Sequence, residues 1–512
     1  MDYWLLVKSL LPEIILALSS LFVLGSDLSL WRGYSIYWRQ TVGALVCSLG
    51  CLLAVVALGS VGGSDVSLFG GAWVVGPKVV FLKQIMVVLV AATAWLAREC
   101  RFTRHVGEFL ALTILAGVGG LLLISTENLL VAFVALELLS LSLYVLVAFA
   151  KEDVSSVEAG LKYFLYGGLS AAFLLYGLSL LYGATGEILL APMAAKLATR
   201  STDTTVFLGL VMVSVGLGFK VAVAPFHVWA PETYQGAPAP SAALVASLSK
   251  IAGFFLLSKV SMVGWGEIGG SGAWGGFAPG WMPLWCVMAA LSLVIGNLAA
   301  LAQRGLRRLL AYSAIAHSGT LLIGVLSNDR GLGEAALVYY LVTYAAASLG
   351  AFAVVAVIER SSGTDAIVSL AGLGRRSPLV AVSLGVFLLS FAGIPPLSGF
   401  FGKFFLFSAA LKPGGPGMGL LWLIVLALIT SAVALYYYLA VLKQMFVVKV
   451  AADPGPVGIH WMTRILLILC VLAVLLPGLF PGWILNRIGP GAGALGRSTV
   501  SLPIESLTST GR

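Results

Sequence analysis

Charge is scarce in this chain of 512 residues: Asp, Glu, Lys and Arg make up only 10% of it, where a soluble domain carries roughly 25%. Hydrophobic residues reach 60% and the mean hydropathy is +1.03, which excludes a water-soluble globule. Histidine is scarcer still, at four, and no haem or metal pattern of neighbouring ligands surrounds those four. The five cysteines, Cys47, Cys51, Cys100, Cys286 and Cys470, contain no CxxC pair, so neither a zinc site nor an iron–sulfur site is supported. Cys47 and Cys51 share a helix face at i, i+4, but inside an apolar run they read as small core residues. A GxxxxGK[ST] loop is missing, which excludes ATP drive of the P-loop kind. No convincing dinucleotide fingerprint stands in its place. The net charge of +9 comes without a basic tract interleaved with aromatics, so nucleic acid is not an expected partner. The surplus fits the excess of Lys and Arg in the cytoplasmic loops of membrane proteins.

What is present is a series of apolar runs. In lipid the backbone must satisfy its own hydrogen bonds, which leaves a helical bundle or a closed barrel. The runs are about 18–25 residues long and do not alternate, and that selects helices. Fourteen candidate spans lie near 4–24, 41–60, 79–97, 108–125, 129–149, 159–182, 205–224, 239–263, 283–302, 309–326, 334–358, 378–411, 420–446 and 464–485. The first lacks a basic n-region and a small-residue cleavage site, so it reads as a transmembrane helix and not a cleaved signal. The tail after Gly489 is rich in Gly, Ser and Thr and reads as loose. Loops after odd-numbered spans hold fifteen basic residues, and loops after even-numbered spans hold six, Lys259 counted among them. That bias puts the odd loops in the cytoplasm and both termini on the periplasmic side.

Spans seven and twelve are interrupted, at Pro225 and at Pro395–Pro396. Paired broken helices in corresponding positions point to an inverted repeat with an ion path between the halves. The expected architecture is an all-α polytopic membrane protein with about fourteen transmembrane helices. Spans 4–8 and 9–13 are the two inverted five-helix repeats. This divides the chain into 1–107, an N-terminal three-helix segment; 108–263 and 283–446, the repeats; and 464–512, a last helix and tail.

A few charges fall inside the spans, where each costs about 2.5–3.5 kcal/mol on insertion scales. Glu137 sits mid-span five; a packing salt bridge is one reading and ion chemistry the other. Lys220 lies about one turn before Pro225. The proline frees carbonyls upstream, and these form the negative end of a half-helix that favours a cation. Burial opposes a charged lysine and a nearby carboxylate supports it, so a lysine balanced between them can exchange its proton. Lys250 is mid-span eight, too deep to snorkel. Lys403 follows the second break, where snorkelling from a short half-helix is the plainer alternative. His317, mid-span ten, is either a satisfied core residue or a group titrating near neutrality. His227 follows the first break; a structural hydrogen bond and a proton relay are both open. Glu158 and Lys162, at i, i+4, are either an ordinary helix pair or modulators of Glu137 and Lys220.

These residues stand in long motifs: "GFKVAVAPFHVWAPETYQGAPAP", "FVALELLSLSLYVL", "LLAYSAIAHSGTLLIGV" and "FAGIPPLSGFFGKFFLF". Together they resemble the antiporter-like subunits of respiratory complex I, over essentially the whole chain. Within that set the chain looks most like subunit N of bacterial NADH–quinone oxidoreductase. It has Tyr234 and Gln235 after the first break where subunits L and M carry a histidine-containing sequence, and it opens on "LLPEIILALSSLFVLGSDL". The resemblance implies a proton path through Glu137, Lys220, Lys250, His317 and Lys403, and every one of these positions carries the family's residue type. It implies that NADH, FMN, iron–sulfur clusters and quinone belong to other subunits, and that this chain binds no cofactor. The implied partners are neighbouring antiporter-like and small membrane-arm subunits, and the implied location is the bacterial inner membrane. Movement of Glu137 away from Lys220 would release the lysine's proton toward Lys250, His317 and Lys403. Driving a proton against 100 mV costs about 2.3 kcal/mol, within reach of one ion pair opening. The rivals are a subunit of the multi-subunit Na⁺/H⁺ antiporters, the plastoquinone-linked counterpart of photosynthetic membranes, and a structural member of the membrane arm that carries no ions.

Overall fold

The computed structural model describes residues 3–61, 66–100, 102–200, 203–327, 331–411, 419–449 and 455–488. Arg101, Arg330 and Lys412 of the loop count, and the tail after Gly489, lie outside the described residues. Among those described, twelve helices are long and apolar enough to cross a membrane. Two shorter apolar helices, Thr204–Lys220 and Pro378–Ala392, are the first halves of the interrupted spans.

The N-terminal segment holds α1 (Tyr3–Ser29), α2 (Ile36–Val61) and α3 (Pro77–Leu96), with a hairpin of β1 (Val66–Leu68) and β2 (Trp73–Val75) between the last two. Then come α4 (Val106–Ser125), α5 (Leu129–Val147), α6 (Val154–Thr185) and the short α7 (Leu190–Leu197). The first broken helix is α8 (Thr204–Lys220) and α9 (Trp229–Gly236). The next span is continuous from Ala239 to Gly264. It joins α10 (Ala239–Leu244) and α11 (Lys250–Lys259), each followed by a π-helical turn, at Val245–Ser249 and Val260–Gly264. The second half contains α12 (Trp281–Leu301), α13 (Leu306–Leu326) and α14 (Leu332–Ser362), then the short α15 (Leu373–Arg376). The second broken helix is α16 (Pro378–Ala392) and α17 (Ser398–Ala410), followed by α18 (Leu421–Phe446), α19 (Trp461–Leu479) and α20 (Gly482–Ile488).

Local chemistry sets several starts. Asn128 caps α5 by accepting from the Leu130 and Val131 amides, Asp153 caps α6, and Asp203 caps α8. Each satisfies amides that a helix start leaves open. After the break at Pro225, "WAPETYQG" is helix α9, because Pro231 falls in its first turn, where the missing N–H is not needed. One sequence expectation needs correction: Lys259 is not a loop residue. It ends α11, is 8% exposed, and donates to the carbonyls of Ile124 (2.8 Å) and Thr126 (3.4 Å) at the end of α4.

The two halves use the same close packing. A Cβ on Gly119 of α4 would meet the Leu139 amide nitrogen of α5 at 2.6 Å and the Ala135 carbonyl oxygen at 3.0 Å. A Cβ on Gly296 of α12 would meet the Ala316 amide nitrogen of α13 at 2.6 Å and the Tyr312 oxygen at 2.9 Å. The first two helices of each repeat thus touch backbone to backbone through one glycine, as small residues allow in lipid. Buried ion pairs hold the N-terminal segment: Lys83 of α3 to Glu13 of α1 at 2.5 Å, and Arg39 to Asp27 at 2.5 Å. Glu99, following α3, forms an ion pair with Arg360 and accepts from Thr463, which ties that segment to α14 and α19.

Gly296→Leu should therefore destabilise the chain by about 1–3 kcal/mol, the usual cost of overpacking. Gly168→Leu, with open space beyond its Cα, should be neutral. Thermal unfolding of the detergent-purified chain compares the two; equal midpoints would refute the backbone contact.

Candidate functional site: a buried line of lysines and hydroxyls

Lys220 is the last residue of α8, so the helix break begins where its side chain departs. It is 5% exposed, and its Nζ donates to Ser140 Oγ of α5 at 2.8 Å. Glu137, one turn earlier on α5, is half-buried, and its Oε1 has no hydrogen-bond partner among the described residues. The lysine thus rests on a hydroxyl next to the carboxylate, and the expected direct ion pair is replaced by this contact. Its stem lies against α11: a Cβ on Gly253 would stand 3.3 Å from Lys220 Cγ and 3.2 Å from Val221 Cγ1.

The break itself is fastened by the second half of the molecule. Ala224, joined to Pro225 by a cis peptide, donates its N–H to Ser292 Oγ of α12 at 2.8 Å. Ser318 Oγ of α13 lies 2.8 Å from the Val221 oxygen and 2.9 Å from the Ala314 oxygen. A hydroxyl has one proton to give, so Ser318 is shared between the carbonyl after Lys220 and the Ala314 carbonyl. Lys250 Nζ donates to that same Ala314 oxygen at 2.6 Å. Its ammonium also sits 4.7 Å from the ring centre of Tyr344, a cation–π contact.

His317 comes next, one residue before Ser318. Its Nδ1 is 2.7 Å from Tyr340 Oη and its Nε2 is 3.4 Å from Tyr438 Oη, while Tyr438 bonds Ser313. Tyr340 then packs on the second broken helix at Gly402, where a Cβ would stand 2.1 Å from its ring. Adjacent Lys403 of α17 reaches back across the break. Its Nζ donates to the Ala392 carbonyl at the end of α16 and to Ser431 Oγ of α18, both at 3.1 Å. Here a lysine caps the negative end of a half-helix, the arrangement that a broken helix favours.

The structure thus sets Lys220, Lys250, His317 and Lys403 along the two breaks, each bonded to a hydroxyl or a carbonyl, with Glu137 at one edge. It leaves three sequence candidates off that line. Lys162 pairs with Glu158 and with Glu232 of α9, both at 2.7 Å, on side chains 39–59% exposed. His227 lies half-buried in the first break, with Nδ1 unpartnered among the described residues. Pro225, Pro395 and Pro396 contribute by ending the helices. Sequence reasoning missed Ser140, Ser318, Tyr340, Tyr344, Tyr438 and Ser431. The only signal for them was polarity within apolar spans, which many helix-bonded serines share. Among the described residues no group of three or more His, Cys, Asp or Glu side chains gathers as a metal site.

A polytopic bundle with two broken helices and a buried cation line defines a class, the antiporter-type ion-translocating membrane subunits. Residues 126–434 match the family described as NADH:quinone oxidoreductase/Mrp antiporter, transmembrane. The chain is 47% identical to "NADH-quinone oxidoreductase subunit N 2" of Acidobacterium capsulatum, over 95% of this chain and 99% of that one. A chain of respiratory complex I from Thermus thermophilus superposes with TM-score 0.77 at 35% identity, covering 93% of this chain and 98% of that chain. A chain of the Mrp complex from Dietzia sp. superposes with TM-score 0.78 at 21% identity, covering 96% and 98%, a likeness of fold alone. The protein belongs to this NADH:quinone oxidoreductase/Mrp antiporter family, on its NADH-quinone oxidoreductase subunit N branch.

Gly253→Val should push Lys220 off its seat, since the two contacts at 3.2 and 3.3 Å leave no room for a branched side chain. Such overpacking costs about 1–3 kcal/mol. The variant is expected to assemble but to lose most NADH-driven ΔpH in membrane vesicles. Full ΔpH from an assembled variant would show that the seat is dispensable.

Proposed function

We propose that this chain is a proton-translocating membrane-arm subunit of an NADH-quinone oxidoreductase, and that the line from Glu137 to Lys403 carries the proton. The observation behind this reading is four buried titratable side chains set along both broken helices, each bonded to a hydroxyl or a backbone carbonyl. An isolated buried lysine is costly, and three of them with a histidine between are difficult to account for by packing alone. Electron transfer from NADH, through flavin and iron–sulfur clusters to quinone, belongs to other subunits on this reading. Its partners are the neighbouring antiporter-like and small subunits of the membrane arm. It resides in the bacterial inner membrane with both termini periplasmic, a reading supported by the basic loops after odd-numbered spans. Residues 108–263 and 283–446 act as the two repeats. The Na⁺/H⁺ antiporter alternative shares the family match and the fold, and is less supported because the relative at 47% identity is an NADH-quinone oxidoreductase subunit.

The path needs a step between Lys220 and Lys250, which water carries, and Ser318 sits between the two residues as a switch of hydrogen bonding, not as a proton carrier. When Lys250 is charged and donates to Ala314, the Ser318 proton goes to Val221. When Lys250 gives up its proton, Ser318 turns to Ala314 and frees the Val221 carbonyl beside Lys220 to accept from that lysine or from water. Glu137 sets the other end: its approach favours a charged Lys220 and its withdrawal favours release. Lys403, held by a helix end, is the terminal acceptor.

Lys220→Ala in native membranes tests the assignment, with NADH:quinone turnover, ΔpH and assembly by native gel followed together. The expected result is an intact complex with both activities reduced about tenfold or more, equivalent to about 1.4 kcal/mol or more of lost stabilisation. Unchanged turnover and ΔpH would make the lysine structural. Ser318→Ala should lower ΔpH and alter its dependence on pH, while Ser318→Thr, which keeps the hydroxyl, should restore both; identical behaviour of the two variants would remove Ser318 from the path.

A further inference from the structure

A cavity of about 510 Å³ opens where the ends of α2, α3 and α5 meet. Its volume falls in the range of small-molecule and cofactor sites. All three loops that bound it follow odd-numbered spans, so it lies on the face that carries the basic residues. Its walls are aromatic: Tyr37 of α2, Phe102 before α4 and Phe149 after α5. Two cations, Arg104 and Lys151, stand exposed at its mouth. Glu152 is the carboxylate that lines it, while His105 is engaged by Glu108 at 3.0 Å. A third cation stands behind the wall, since the Arg98 guanidinium lies 4.3 Å from the ring centre of Tyr37.

The inner end supplies the deciding group. Gln40 lines the cavity, is 7% exposed, and its side-chain amide makes no hydrogen bond to any described residue. The amide opens onto the cavity, so a ligand that presents an acceptor there gains a hydrogen bond. The occupant must therefore carry an anion at the mouth, a polar carbonyl or hydroxyl at Gln40, and apolar matter along the aromatic wall. An inorganic anion meets the first need only. A neutral lipid lacks the first.

We propose that this cavity binds one anionic glycerophospholipid from the leaflet facing the basic loops. Its phosphate sits between Arg104 and Lys151 in charge-assisted hydrogen bonds. The Gln40 amide donates to a glycerol ester carbonyl, and the chains leave past Phe102 and Phe149 into the bilayer. Basic pockets between transmembrane helices on the cytoplasmic side are suited to such headgroups. The site lies apart from the buried proton line, so its occupancy can be tested separately.

The test uses the assembled complex with a photoactivatable phosphatidylglycerol, and maps labelled peptides by mass spectrometry. Labelling is expected on peptides containing Tyr37–Gln40 or Phe102–His105. Unlabelled phosphatidylglycerol should compete, while phosphatidylcholine and inorganic phosphate should not. Arg104→Gln with Lys151→Gln should reduce labelling at least fivefold, and so should Gln40→Leu, both in complexes that assemble on a native gel. The proposal is overturned if these peptides stay unlabelled because another subunit covers them. It is equally overturned if phosphatidylcholine competes as well, if inorganic phosphate displaces the probe, or if the variants label normally.

Discussion

The rest of this structure depends on one constraint: a backbone broken inside a membrane leaves carbonyls that only the protein can satisfy. The chain meets it with lysine at the second break and with serine at the first. Lys403 crosses the second break to bond the Ala392 carbonyl that ends α16. Lys220 ends α8 itself, and the carbonyl just beyond it, Val221, is taken by Ser318. The break and the buried cation are two halves of one solution. At the second break the helix end makes a lysine tolerable at depth and the lysine makes the break tolerable in lipid; at the first, Ser140 seats the lysine and Ser318 takes the carbonyl.

That solution also joins the two repeats. The first break is held from outside its own repeat, by Ser292 of α12 and Ser318 of α13. Arg307, at the start of α13, bonds the carbonyls of Gln235 at 3.2 Å and Tyr234 at 3.4 Å, bonds that of Ala237 as well, and pairs with Glu359 of α14. A change in charge at Lys220 is therefore felt by residues that also touch Lys250 and His317. Coupling of this kind needs physical contact between elements with alternative arrangements, and the hydroxyl of Ser318, shared by two carbonyls, is such an element.

Glu137 is placed differently from the other residues of the proposed path. It is half-buried at the margin of the bundle, and Lys220 meets Ser140 instead of the carboxylate. A station at the edge of a subunit is open to influence from a neighbour, which suits a group that starts a transfer. Lys250 and His317 lie deep, with their polar atoms committed to a carbonyl and to tyrosine hydroxyls. They suit groups that pass a proton along.

Much was legible before any fold was known. Long apolar runs admit only helices in lipid, and charges inside them are costly enough to stand out, so Glu137, Lys220, Lys250, His317 and Lys403 were visible in the sequence alone. Prolines marked both breaks for the same reason, because they remove a donor the helix needs. What the tertiary structure decided was which groups meet. Glu158 and Lys162 have the spacing of a helix pair, and the fold turns them to the surface with Glu232. Lys259 read as a loop cation and became the cap of a distant helix. Ser140, Ser318, Tyr340 and Tyr438 carry no mark in the sequence, because a hydroxyl in an apolar span can be satisfied by its own helix. Only the packing of α5, α13, α14 and α18 around the two breaks turns those hydroxyls toward the lysines and the histidine. The sequence by itself determined where charge and breakage would fall, and the contacts between helices determined what lies between them.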